Sequence, residues 1–244
     1  MIKINKQIIM FNKGSEIKVD VIYRNRKNVT ITVKPKNQVA IISPPGINIK
    51  NLEKLLKSKS DWILKKLEKY KDIDLNEEII FEDGTKLYYL GDIYYLNIIK
   101  STKCNSNVYI SKNKIIIESN DLSQSNLKDI LKKWYKSESE KIVIEKLQKL
   151  KNKSEIMNSL APTCIKVKEQ NKRWGSCTSK GNIYINSKIS MARPKSIEYI
   201  LVHEFSHLVH MNHSKEFYRF VGRIMPSYKD EEVWLKNNSY KLKL

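Results

Sequence analysis

The four histidines of this 244-residue chain all lie between His203 and His213. The segment reads His203-Glu204-Phe205-Ser206-His207-Leu208-Val209-His210-Met211-Asn212-His213. On a helix, His203 and His207 stand one turn apart, about 6 Å along the axis, with both rings on one face. That spacing lets two imidazoles take one metal ion, and Glu204 is placed to remove a proton from a water the ion holds. Metal-assisted hydrolysis is the chemistry such a group performs. The surrounding stretch, about 195 to 210, is apolar on nearly every side, with Ile197, Tyr199, Ile200, Leu201, Val202, Phe205, Leu208 and Val209. A helix of that kind is buried. Ionisable groups on it carry a large desolvation cost unless something pairs with them, and a divalent cation does so.

A catalytic zinc keeps three protein ligands and one open position. His210 lies three residues past His207, about 4.5 Å further along a continued helix, where its ring reaches past an ion held by the other two. His213 can swing back only if the helix ends first. Asn212 tolerates the left-handed conformation such a reversal requires, and Ser214 can cap a new helix at once. His213 is therefore the expected third ligand, ahead of Glu216 in the next helix and of Cys177. The site so read is one Zn2+ per chain on His203, His207 and His213, with Glu204 as general base. His210, Tyr218 and Tyr228 are candidates for steadying the ligands or the developing oxyanion.

Three elements of composition bear on function. No apolar run approaches the roughly 20 residues that cross a bilayer, so no membrane role is expected. The cysteines, Cys104, Cys164 and Cys177, are an odd number with no paired spacing, which suits free thiols in a reducing, cytoplasmic setting. The net charge of +20 rests on 46 basic residues, of which only Arg24, Arg26, Arg173, Arg193, Arg219 and Arg223 are arginine. Lysine spread evenly among asparagine and isoleucine reads as a compositional habit. The first 50 residues, with ten basic residues against Glu16 and Asp20, are where a nucleic-acid partner would bind through a basic surface. Two other functions compete with peptide hydrolysis. One is a zinc hydrolase acting on an anionic substrate such as a nucleotide phosphate. The other is a basic nucleic-acid-binding protein whose zinc is structural, and it ranks last because structural sites are normally closed by four ligands.

The elements that must position the histidines follow from periodicity. Val29, Ile31 and Val33 alternate, Lys34-Pro35-Lys36-Asn37 turns, and Val39 and Ile41 resume as a hairpin partner. Leu52, Leu55, Leu56, Trp62, Ile63 and Leu67 give one amphipathic helix over 49–70. Further hairpins turn at Gly91-Asp92 and Lys112-Asn113. One long helix runs from Ser123 to about Met157, and a strand covers 165–169. A hairpin then turns at Ser179-Lys180-Gly181, with Ile183, Ile185 and Ile189 on one face. Pro194 suits the first turn of the histidine helix, and a last helix runs from Ser214 to Met225.

The combination Arg173-Trp174-Gly175-Ser176-Cys177, Gly181-Asn182-Ile183-Tyr184-Ile185-Asn186, His203-Glu204-Phe205-Ser206-His207 and Asn212-His213-Ser214-Lys215-Glu216-Phe217 resembles the YgjP-like metallopeptidase family, related to the SprT-like zinc proteases. Asp83-Gly84, Tyr89-Leu90-Gly91 and Trp62-Ile63 agree, so the likeness covers most of the chain. The histidine spacing also matches the metzincins, but His210 stands where they carry glycine. The resemblance implies an α+β protein acting on a peptide or protein substrate. A β-rich N-terminal region, residues 1–120, would precede a zincin-like metallopeptidase domain, residues 121–244, with its active-site helix under a small antiparallel sheet. It further implies that an edge strand, by position 182–190, takes substrate in extended form. Arg173, Trp174 and Asn186 are then the cleft candidates, although the Arg173-Trp174-Gly175 block reads first as structural, with Trp174 a core anchor and Gly175 a backbone bulge.

Overall fold

Alternating β-branched residues fold the first part of the chain into a sheet. The computed structural model describes residues 6–12, 14–34, 37–70 and 79–244, and the chain divides into two compact units, Met1–Glu78 and Ile79–Leu244. In the first unit, β1 (Lys6–Asn12), β2 (Ser15–Tyr23), β3 (Thr30–Lys34) and β4 (Gln38–Ser43) form a sheet in the order β1-β2-β4-β3. Strands β3 and β4 pair antiparallel, as their alternation predicts. Of the turn between them, Pro35 and Lys36 lie outside the described residues. Val19, Val21, Val39 and Ile41 are buried with Leu52, Leu56 and Ile63 from the helices that follow. The single helix expected over 49–70 is two, α1 (Ile49–Ser58) and α2 (Ser60–Tyr70). At Lys59 the backbone N–H turns back to the Leu56 and Lys57 carbonyls. Beside it the Ser58 hydroxyl takes the Leu55 carbonyl, the local competition by which serine interrupts a helical ladder.

The second unit opens with β5 (Lys86–Tyr89), β6 (Asp92–Lys100), β7 (Asn107–Ser111) and β8 (Lys114–Ser119), in the order β5-β6-β8-β7. Both expected hairpins form. Leu87, Leu96, Ile115 and Ile117 share one core with the helices downstream, so the sequence-based boundary at 120 falls inside this unit. The long helix ends earlier than expected: α3 (Gln124–Lys153) stops at Ser154, whose side chain caps the short α4 (Glu155–Ser159) by accepting the Met157 N–H.

Next come β9 (Cys164–Lys168), β10 (Gly175–Cys177) and β11 (Asn182–Asn186). This sheet is not antiparallel as expected but mixed, in the order β10-β11-β9, with β11 antiparallel to β10 and parallel to β9. The segment expected at the edge is therefore in the middle. Strand β11 hydrogen-bonds on both sides and has no free edge for a substrate. Ile189 belongs not to it but to a 3₁₀ turn, Ile189–Met191. Three helices complete the unit: α5 (Pro194–Ser206), α6 (Lys215–Ile224) and α7 (Tyr228–Asn238). The molecule is thus mixed α+β, and among the described residues no helix is long and apolar enough to cross a membrane.

The entry to α5 is fastened from several directions. The Ser139 hydroxyl of α3 lies 2.9 Å from both the Ser187 carbonyl and the Ser190 hydroxyl. At the β5–β6 turn, the Leu90 and Gly91 N–H groups donate to the Ser190 and Met191 carbonyls at 2.7 and 3.2 Å. Gly91 has φ +92°, and a Cβ there would lie 2.7 Å from the Arg193 Cβ, so both conformation and space require glycine. Arg193 in turn makes a two-pronged ion pair with the buried Glu231 of α7, each contact 2.9 Å, and Ser196 donates to the same carboxylate.

Candidate metal centre

Helix α5 is buried because Ile197, Leu201, Val202 and Phe205 have no solvent exposure, each such side chain contributing about 1.5–3 kcal/mol by burial. His203 and His207 ride on it one turn apart. The helix stops three or four residues earlier than the sequence suggests. After Ser206 the Leu208 and Val209 N–H groups bond three residues back, to the Phe205 and Ser206 carbonyls, tightening the last turn in the manner of a helix end. Asn212 does not adopt the left-handed conformation anticipated for it; among the described residues the non-glycine positions with positive φ are Asn37, Leu90 and Lys112. A turn with the Ser214 N–H donating to the Asn212 carbonyl makes the reversal instead. Ser214 then caps α6 by accepting the Phe217 N–H.

The result brings one donor nitrogen from each of His203, His207 and His213 within 4.8 Å of one another. The Nε2 atoms of His203 and His213 are 2.9 Å apart. Nitrogens bound tetrahedrally to one zinc at 2.0–2.1 Å would be about 3.3 Å apart, so the donor set fits one cation with small ring movements. Two of the rings also have an outer partner. The Nδ1 of His207 is 3.0 Å from the His210 carbonyl oxygen, which fixes its proton there and leaves Nε2 for a metal. Tyr199, one turn before His203, has its hydroxyl 3.4 Å from His203 Nδ1. Burial, with the neighbouring histidines, lowers the His203 pKa to about 4, so the ring is neutral at pH 7 and ready to ligate. The fully buried Phe217 ring sits against all three imidazoles, at 5.0, 4.7 and 4.8 Å between centroids, and forms an apolar floor.

Glu204 is 6% exposed, and burial raises its pKa to about 7 against a weaker opposing pull from Arg173. Among the described residues no hydrogen bond or ion pair holds this carboxylate. It owes its room to Gly175, where a Cβ would lie 2.6 Å from both Cγ and Oε1 of Glu204. Strand β10 passes directly over the base as bare backbone. The Asn186 N–H donates to the Trp174 carbonyl and the Thr178 N–H to the Asn182 carbonyl. That fixes the pleat: residues 174, 176 and 178 bond toward β11, and the N–H and C=O groups of Gly175 and Cys177 point away from it. Among the described residues no strand pairs on that side. Beside β10 opens a cavity of about 460 Å³, lined by Arg173, Tyr199, Glu204, the three histidines and others.

A family comparison decides the class: the YgjP-like metallopeptidase domain matches residues 27–238. The chain belongs to the YgjP-like family. A search of curated proteins found no match. Membership makes this a metal-dependent peptidase-type domain, and the remaining YgjP-like site residues can be placed accordingly. Tyr218 stacks on His213, and Tyr228 stacks on Tyr218 and Tyr199, so an aromatic row flanks the histidines. The His210 ring packs instead on Phe220 and is absent from the cavity wall; its carbonyl is what reaches the site. Asn186 is buried, and its side-chain amide donates to the Gln170 and Arg173 carbonyls at 2.7 and 2.8 Å; it braces the loop before β10 rather than facing the cleft. Trp174 lines the cavity while its indole N–H donates to Ser239 at 2.9 Å. Cys177 also lines the cavity, and burial, with Glu204 beside it, raises its thiol pKa, which keeps it protonated. Sequence reasoning missed Tyr199 and Phe217. Tyr199 was legible as the residue four before His203 on the same helical face. Phe217 carried no such signal.

Proposed function

We propose that the protein is a zinc-dependent peptidase in which His203, His207 and His213 hold one zinc ion and Glu204 is the general base. The observation that carries this reading is the meeting of three imidazole nitrogens with a free, buried carboxylate at an open cavity. Zinc bound there supplies Lewis acidity and brings a coordinated water toward a pKa of about 7. Glu204, poised near neutrality, takes a proton from the attacking water and returns it to the departing amine, so the peptide C–N bond breaks with no net change in the base. The outward backbone groups of Gly175 and Cys177 bind an extended substrate by adding a strand to β10. Tyr218, whose ring stacks on His213, is the phenol we assign to the carbonyl oxygen.

The test pairs metal content with turnover. Purified wild type is expected to carry one zinc per chain and to cut casein, and Glu204→Gln to keep the zinc and lose at least about 100-fold in rate, the low end of general-base catalysis. A Gln variant that keeps both zinc and full activity refutes the assignment of the base.

A further inference from the structure

The chain is crowded with cations, yet the cavity at the histidines admits one. The chain's 46 lysines and arginines contribute, among the described residues, only Arg173 to that wall. It is also one of just six arginines, the side chain whose planar fork matches a carboxylate. Arg193, by contrast, is committed to Glu231. Among the described residues no hydrogen bond or ion pair occupies the Arg173 side chain, which is exposed at the rim. Its backbone is the opposite. The Arg173 carbonyl accepts from the buried Asn186 amide, and the next residue is tied through its carbonyl to the Asn186 N–H and through its indole to Ser239. With the backbone already anchored, only the side chain has freedom left to lose when a ligand arrives. Arg173 stands two residues before Gly175, at the N-terminal end of the free edge of β10.

We infer that Arg173 selects substrates carrying a carboxylate a fixed distance from the scissile bond, either an Asp or Glu side chain or the terminal carboxylate of the peptide. This rests on the peptidase reading above and adds to it the preferred substrate class. A substrate strand laid along Gly175 and Cys177 runs past Arg173 at one end. The only carboxylate of the cavity wall, Glu204, is not bonded to Arg173, so the cation keeps its fork for an incoming anion. Arg173 is here a specificity determinant, distinct from the base and the metal ligands.

Two measurements on the full-length, zinc-loaded protein test this. In the first, a mixture of denatured casein peptides is digested and the cut sites are mapped. Wild type should show Asp or Glu enriched at one offset from the cut, or cuts a fixed distance from the chain end. Arg173→Glu should replace that preference by Lys or Arg at the same offset. C-terminal amidation of the peptides abolishes the preference only if the terminal carboxylate is the ligand. In the second, binding is read without turnover in the Glu204→Gln background by fluorescence anisotropy. A Glu-containing peptide should bind about 10- to 100-fold tighter than its Gln twin, the range for a hydrogen bond to a charged group, and adding Arg173→Glu should erase or invert that ratio. Arg173→Lys should keep part of it. If Arg173→Glu weakens the Glu and Gln peptides alike, or changes no preference, the inference is overturned while the peptidase reading stands. If wild type cuts no peptide but the binding ratio holds, the anion site stands and the peptidase reading falls.

Discussion

Replacing Gly175 by alanine tests the geometry of the base more sharply than replacing the base itself. The added methyl would sit 2.6 Å from Cγ and Oε1 of Glu204, about 1 Å inside ordinary contact. Gly175 is held in register with Ile185, so the adjustment falls on the Glu204 side chain, which among the described residues no hydrogen bond or ion pair holds in place. Overpacking of this kind costs about 1–3 kcal/mol, or roughly 2–12 °C of melting temperature for a unit of this size. The catalytic loss should be larger, because moving a base by about 1 Å costs on the order of 100-fold. The three atoms nearest the added methyl all belong to Glu204 and none to a histidine, so zinc content should be unchanged. Peptide turnover, thermal melts and metal analysis on Gly175→Ala together decide the matter. A variant that keeps wild-type kcat/KM and an unchanged melt would show that β10 does not press on Glu204, and the account of the base would fail.

Three other outcomes follow. His213→Ala should lose zinc on purification while His210→Ala keeps it, because His210 contributes a carbonyl that alanine also possesses; metal analysis of the two variants reads this directly. In zinc-stripped protein, Glu204→Gln should be more stable than wild type at pH 8, by at most about 3 kcal/mol from a pKa raised to about 7. The sign follows from the raised value: the advantage of keeping Glu204 protonated is complete below pH 4.5 and is lost as pH rises through about 7, so denaturant melts at pH 4.5 should show no gap. Glu231→Ala removes the partner of Ser196 and of the Arg193 cation, which is 35% exposed and keeps access to water, and should cost about 1.5–3 kcal/mol, measurable as a lowered denaturation midpoint; Arg193→Ala with Glu231→Ala should recover part of it.

The histidine cluster was more legible than the scaffold. The window from His203 to His213 stood out because it holds every copy of a scarce side chain, and the structure brings three of the four within 4.8 Å of one another. The hairpins expected at 91–92 and 112–113 were nearly as plain, since apolar alternation breaks there at short turns, although the first turns one residue earlier, at Leu90-Gly91. What failed was whatever depends on long-range pairing. Nothing local in Asn182–Asn186 distinguishes an edge strand from a central one; that is settled by β9, which arrives from 14 or more residues upstream to pair parallel with it. The same applies to Asn186, which as an isolated polar residue on a strand suggested a cleft but is consumed by two carbonyls of a preceding loop. Helix α7 escaped notice because its charged residues outnumber its apolar ones, and Leu235 and the buried Glu231 earn their places only through partners on α5 and elsewhere in the unit. The two helix breaks, at Lys59 and Ser154, were hidden for a different reason: serine interrupts a helix through side-chain bonds that leave the apolar period intact.

The three imidazoles do not share one degree of freedom. Two are carried by a helix without slack, whereas His213 sits on an exposed connector only six residues beyond His207. Under the zinc reading proposed above, His213 is thus the ligand whose backbone has most freedom. Chelation should loosen residues 208–213 long before it disturbs the core, and a protease added to the stripped protein should nick there first.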